Sequence, residues 1–322
     1  MPTYTLLKGV SEAGKSLYSN QLETNLISFF DWGLLNVGSF FNVNIPTSGA
    51  YGGDFSRLRP TKDPNFTDGQ VWEGARSNWV WESGLEYTSQ PIKVSGITIN
   101  NVFYNSSVTG TYSHYIDYPK GRVVFNNALS TTSIVKAQYS YKWVSIHNSN
   151  VPFFREVQFR SARVDDSTFL QFGSGYWSQL AQNRIQLPAI IVQSTSRFNF
   201  PAGLELGGGH YINKDVLFYV MAETPWERSN LVDVVAYQMD KKIFMYDVNR
   251  MSDENKFPLT PLGSLASGAL TYPQLVRESG DGGYKYKDLL FKSMTGQEVD
   301  VANKNLFIGI VRATIESRMP EV

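Results

Sequence analysis

The chain has 322 residues, enough for two or three domains that each bury a core, and its 29 basic and 29 acidic residues cancel. A neutral chain has no global electrostatic claim on nucleic acid or an anionic membrane, and the absence of cysteine excludes disulfides, thiol catalysis and cysteine-ligated zinc. Charged residues make up only 18% while aromatics reach 14%, a balance that suits either a surface covered by partners or an ordinary strand-rich domain.

Residues 1–15 lack a long apolar core and a cleavage-type pattern, so no signal peptide is expected, and the longest apolar runs fall short of a membrane span. Gly9, Gly14, Lys15 and Ser16 match G-x-x-x-x-G-K-[ST], the phosphate-binding loop in which backbone N–H groups, a lysine and a hydroxyl hold a nucleotide and its magnesium. The context argues against it. A P-loop enzyme needs a parallel sheet with repeated strand and helix alternation, whereas here the preceding strand is about four residues and Gly-, Pro- and Asn-rich loops follow. The alternative is a leader in which Ser16 or Ser19 caps the next helix.

That helix is expected over 17–32, with Leu22, Leu26, Phe29 and Phe30 on one face and Gly33 as its C-cap. Residues 34–43, with Val37, Phe40, Phe41 and Val43, read as an apolar arm that must pack on the body or on a neighbouring subunit. Residues 44–88 are loop-rich and bring Trp72, Trp79 and Trp81 near Arg57, Arg59 and Arg76. Aromatics beside arginines can stack on bases or sugars, but the many acids nearby favour a packing or interaction cluster.

From 92 to 147 the apolar period is two. Val94, Ile97, Ile99, Val102 and Tyr104 predict one strand pair, and 115–118 and 122–125 flank a Pro-Lys-Gly hairpin turn. In the last strand Val135, Ala137, Tyr139, Tyr141 and Trp143 point one way, and Lys136, Gln138, Ser140 and Lys142 the other, which predicts a small antiparallel sandwich with one wet face.

Further on, 185–192 predicts an edge strand or a strand that starts at Pro188. Gly207 to Gly209 read as a tight turn rather than a phosphate cradle, since no helix follows and Lys214 is the one nearby cation. The best specified stretch is 215–249. Val216 to Met221 predict a strand buried on both faces, and Thr224, Pro225 and Glu227 form a capping box. Leu231, Val232, Val235, Ala236 and Met239 recur at helical spacing, Lys241 and Lys242 suit the helix C-terminus, and a strand over 243–248 follows. Glu223, Thr224 and Glu227 are explained by capping rather than catalysis. Residues 251–283 read as a loop that a partner could order, and 306–315 as a final strand that closes the sheet.

No reactive constellation emerges. His114, His147 and His210 are scattered singly. Asp165 and Asp166 point to opposite faces of any strand, Asp253, Glu254 and Asp281 lack EF-hand spacing, and Ser174 sits in no nucleophile elbow. The expected fold class is α+β: an N-terminal helix and arm (1–48), a loop-rich antiparallel β-sandwich domain (49–148), and a mixed α/β assembly domain (149–322) built on the strand-helix-strand unit.

Three passages, FFDWGLLNVGSFFNV (29–43), GRVVFNNALSTTSIVKAQYSY (121–141) and LPAIIVQSTSRFNFPAGLELGGGH (187–210), resemble structural proteins of tailed-bacteriophage virions of the neck, connector and tail-terminator class. The resemblance implies a non-enzymatic virion protein, assembled in the host cytoplasm, that forms a homo-oligomeric ring of six or twelve copies. Its implied neighbours are a portal or adaptor and tail-tube or sheath proteins, with DNA only as the passing genome, no membrane and no cofactor. The family does not call for the Gly-Lys-Ser pattern. Phe29, Phe30, Trp32, Phe40, Phe41, Trp72, Trp79 and Trp81 are the candidate assembly contacts. A carbohydrate- or receptor-binding module, motivated by the tryptophans, and a P-loop protein are the alternatives.

Overall fold

The computed structural model describes residues 14–45, 53–151, 154, 186–199, 210–280, 288–303 and 306–319. Helices and antiparallel strands share the chain, which gives the α+β class. Contacts divide it into two compact units, each discontinuous in sequence: Trp32–Val144 with Lys256–Thr271 (the inserted unit), and Met1–Asp31, Ser145–Asn255 and Tyr272–Val322 (the framing unit). The inserted unit begins at Trp32, within the first helix, and regains a late segment of the chain at 256–271.

Helix α1 spans Tyr18–Asn36. It continues through Gly33 and ends in a Schellman motif, in which Gly38 N–H donates to Leu35 O (2.9 Å) and Ser39 N–H to Leu34 O (3.0 Å). Gly38, with φ +88°, is the left-handed residue that this ending requires, and a Cβ there would meet the Tyr87 ring at 2.4 Å. Strand β1 (Phe40–Val43) follows at once and pairs antiparallel with Tyr139–Lys142, so the apolar arm packs on this chain's own body.

In the inserted unit, the short helix α2 (Gly53–Ser56) precedes β2 (Arg59–Pro60) and β3 (Val71–Glu73). Then come β4 (Gly96–Ile99), β5 (Val102–Asn105), β6 (His114–Asp117), β7 (Arg122–Phe125), β8 (Val135–Ala137) and β9 (Tyr139–Lys142). They make a four-stranded sheet β2-β3-β7-β6, a three-stranded sheet β5-β4-β8 and the pair β1-β9, all antiparallel. Both expected hairpins form. Asn100 and Asn101, at φ 48° and 69°, supply the two-residue turn between β4 and β5. One core joins the sheets, with Trp72, Trp79, Ile97, Val123, Phe125, Val135 and Tyr139 almost fully buried.

The expected wet face of the last strand is wet only in its first half, where Gln138 is exposed and Lys136 half-buried. Ser140 and Lys142 are buried: Ser140 Oγ accepts from Ile92 N–H (2.6 Å) and donates to Asn42 Oδ1, while further backbone covers the strand's edge, with Val80 N–H donating to Ser140 O (2.8 Å) and Lys142 N–H to Asn78 O (2.9 Å). The Lys142 ammonium is held by Glu82 at 2.6 Å. The 251–283 region is also no protruding loop. Its middle belongs to the inserted unit, where Leu259 packs on the core and Gly263 O accepts from Tyr118 N–H (3.0 Å).

The framing unit is a six-stranded sheet formed by β10 (Ser145–Asn148), β11 (Ala189–Asn199), β12 (His210–Ala222), β13 (Lys242–Phe244), β14 (Asp288–Asn303) and β15 (Leu306–Met319). Its order is β10-β11-β12-β15-β14-β13, antiparallel except for β10 with β11. Strand β11 starts directly after Pro188 and is interior, since β10 forms the edge. The final strand does not close the sheet but lies between β12 and β14, and β14 has no counterpart among the expected elements.

Among the described residues this unit also carries the helices α3 (Pro225–Ala236), α4 (Val248–Asp253) and α5 (Tyr272–Gly280). The strand-helix-strand reading holds in order but not in adjacency, because two strands are inserted between β12 and β13. Helix α3 sits close on them: a Cβ on Gly309 would lie 2.4 Å from Val232 Cγ2. On α1, Leu22, Leu26 and Phe30 are buried, and the Phe30 ring meets Phe218 and Phe291 edge-on.

Candidate functional site

The Gly-Lys-Ser pattern is used structurally where it is described. Lys15 Nζ donates to Asp253 Oδ2 (2.8 Å), Ser16 N–H donates to Asn249 Oδ1 (2.8 Å), and Asn249 Nδ2 returns a bond to Ser16 O (2.9 Å). Lysine and serine thus tie the start of the chain to α4. Gly9 lies outside the described residues, as do Asp165, Asp166, Ser174, Gly207 to Gly209 and Asp281.

The tryptophan cluster is brought together, but inward. Trp72 and Trp79 are buried, Trp79 stacks on Tyr139 at 4.2 Å, and the two indole N–H groups donate to Gly69 O and Arg76 O, each at 2.8 Å. Ring faces and donors alike are taken up, so neither is left as a stacking platform for a sugar. Trp81 is half-buried against the same core. Phe30 and Phe40 are buried too, Phe29 packs on Tyr272 and Phe291, and Trp32 packs on Leu35, Phe40, Val80 and Leu85. Of the eight candidate contacts only Phe41, on β1, is left exposed.

Among polar groups, Arg122 Nε and Nη1 bind Asp117 and Asp63, each at 2.8 Å, all three nearly buried. Burial pushes the Asp63 carboxyl up, but the Asn65 backbone N–H and the Arg122 guanidinium outweigh it and hold it below its usual range. His114 is buried, its Nδ1 2.9 Å from Tyr112 O, and burial depresses its pKa more than that carbonyl raises it. Lys214 is buried and its pKa falls for the same reason, with the Glu23 charge opposing. Asp253 and Glu254 are engaged by Lys15 and Arg250. Among the described residues no three His, Asp or Glu side chains are grouped to hold a metal ion, and no helix is long and apolar enough to cross a membrane.

Thr224 Oγ1 accepts from Glu227 N–H (3.2 Å) and donates to Glu227 Oε2 (3.0 Å), so both side chains are spent on the cap. Helix α3 ends earlier than expected, and Met239, Lys241 and Lys242 lie beyond it. Lys242 instead pairs with Asp288 (2.9 Å).

Several large apolar side chains remain outward. In the framing unit Trp226 is 69% and Tyr237 81% exposed, and Met239 and Phe244 are exposed as well. In the inserted unit Val102 and Phe103 on β5 are 53% and 57% exposed. None of these six was a candidate contact. Trp226 and Tyr237 fall on the helical face that carries Asn230 and Asp233, which was the available signal. A cleft of about 230 Å³ is lined by Arg57, Arg59, Trp72, Thr131 and Ser133, which put cations and hydroxyls on its wall. No protein-family model matches the chain, and no curated protein matches it in sequence.

Proposed function

We propose that the chain is a non-enzymatic structural protein of a tailed-phage virion, forming a homo-oligomeric ring at the head-tail neck or tail terminus and joining neighbouring components around the DNA channel. One observation carries the reading: Trp226, Tyr237, Met239 and Phe244 expose large apolar surface between residues 226 and 244 of the framing unit. Large apolar side chains cost most to leave in water and are the ones a subunit contact would bury. The resemblance of residues 29–43, 121–141 and 187–210 to neck, connector and terminator proteins supplies the kind of assembly.

Native mass measurement and negative-stain imaging test it. The expected result is a closed ring of six or twelve copies, and Trp226→Asp with Tyr237→Asp is expected to dissolve it while far-UV circular dichroism stays unchanged. A wild-type chain that remains monomeric and binds glycans sinks the reading.

A further inference from the structure

The structure points to a second, self-complementary contact: we propose that β5 pairs antiparallel with β5 of another copy of this chain, centred on Phe103. The argument starts from backbone parity. In the two-residue hairpin between β4 and β5, Ile99 faces Val102 and Ile97 faces Tyr104. Asn100 N–H donates the other way, to Ile134 O (2.9 Å), and Ser106 N–H bonds Ser95 O (2.9 Å). Odd-numbered residues of β4 therefore bond β5, and it is Val102 and Tyr104 that bond back. Phe103 N–H and C=O consequently point off the edge of the sheet, where among the described residues no strand follows.

Four other edges show how this chain blunts a bare strand. Strand β2 carries Arg59 and Pro60, and β13 carries Lys242. Strand β8 is covered by Leu58, whose N–H donates to Val135 O (2.9 Å), and the end of β6 by Gly263 O on Tyr118 N–H (3.0 Å). Strand β5, Val-Phe-Tyr-Asn, has none of these devices and no charge, and its two flanking pairs, Asn100-Asn101 and Ser106-Ser107, are neutral too.

Neutrality and parity together select a second copy as occupant. Opposed residues must point to the same side of a sheet, so a two-fold axis can pass through Phe103 but not between Phe103 and Tyr104. Centred there, Phe103 N–H donates to Phe103 C=O of the other copy and the reverse, the two exposed rings become a cross-strand pair, and Val102 lies opposite Tyr104. No charge is buried or opposed anywhere along the pair, because Val102 to Asn105 are all neutral. The contact is isologous, whereas ring closure uses a heterologous one, so it goes beyond the proposed function and does not depend on it.

The chain has no cysteine, so single-cysteine variants read the register directly. Opposed Cα atoms in a bonded antiparallel pair lie about 5.5 Å apart, within the roughly 4.4–6.8 Å span of a disulfide. Under mild oxidation Phe103→Cys is expected to give a covalent dimer, Val102→Cys alone is not, and Val102→Cys mixed with Tyr104→Cys is expected to cross-link. Asn127→Cys, at an exposed position, sets the background. Phe103→Pro deletes the outward N–H and leaves the β4-β5 bonds intact. It is expected to halve the particle mass, whether that particle is paired rings or a plain dimer, so failure of the ring reading remains separately visible. Phe103→Cys dimers no more abundant than background, preferential Val102→Cys homodimers, or an unchanged mass for Phe103→Pro would each overturn the pairing.

Discussion

His114 has one ring nitrogen against a carbonyl and the other, Nε2, buried with no hydrogen-bond partner among the described residues. A proton on Nε2 would have nowhere to go, and burial accordingly depresses the pKa below the usual 6.5. Above that value the ring is neutral whether folded or unfolded. As pH falls through it, the unfolded chain binds the proton first, so stability declines down to the folded pKa. Urea midpoints between pH 8 and about pH 5 are expected to fall for the wild type and to fall less steeply for His114→Gln; parallel slopes would refute this. At this scale the sequence was informative about identity and silent about orientation. Trp72 and Trp79 stood out as a cluster, yet only the rings and carbonyls around them decide that they face inward. Gly38 was one of several glycines near the helix end, and it rather than Gly33 takes the left-handed turn.

The elements were legible where period and punctuation agreed. Thr224 and Pro225 start α3 as expected, and the hairpins β4-β5 and β6-β7 form where alternation met turn residues. Strand β13 stops early for a reason that lies far away in the sequence. Asn25 Oδ1 takes Tyr246 N–H (2.8 Å) and its Nδ2 donates to Tyr246 O (3.0 Å), while Gln21 Oε1 takes Val248 N–H (2.9 Å). Two side-chain amides of α1 thereby occupy backbone groups that a longer strand would need. The packing of α3 depends on a missing side chain. Gly309→Ala puts a Cβ 2.4 Å from Val232 Cγ2, so the helix must shift, at a cost of about 1–3 kcal/mol. Chemical denaturation checks it: the expected outcome is a lower midpoint that Val232→Ala partly restores in the double variant.

At the scale of the whole molecule, sequence neighbours are separated and distant segments joined. Residues 256–271 belong to the same unit as 32–144, and Leu259 packs on its core. Leu259→Ser is therefore expected to destabilise the inserted unit by about 1–3 kcal/mol, read by the emission of Trp72 and Trp79 during urea unfolding. An unchanged midpoint would show that the segment contributes nothing to that core.

By itself the sequence determined the α+β class, the Thr224-Pro225 cap and the short hairpins, because these depend on residues within one turn or one strand pair of each other. Tertiary structure alone decided the insertion of β14 and β15 between β12 and β13, the burial of Ser140 and Lys142, and the inward turn of the tryptophans. It also decided what is left outside. An apolar side chain in a strand or helix reads the same whether a core or solvent faces it, and only the partners folded over it distinguish the two. Phe103 and Tyr237 are the residues on which that difference rests.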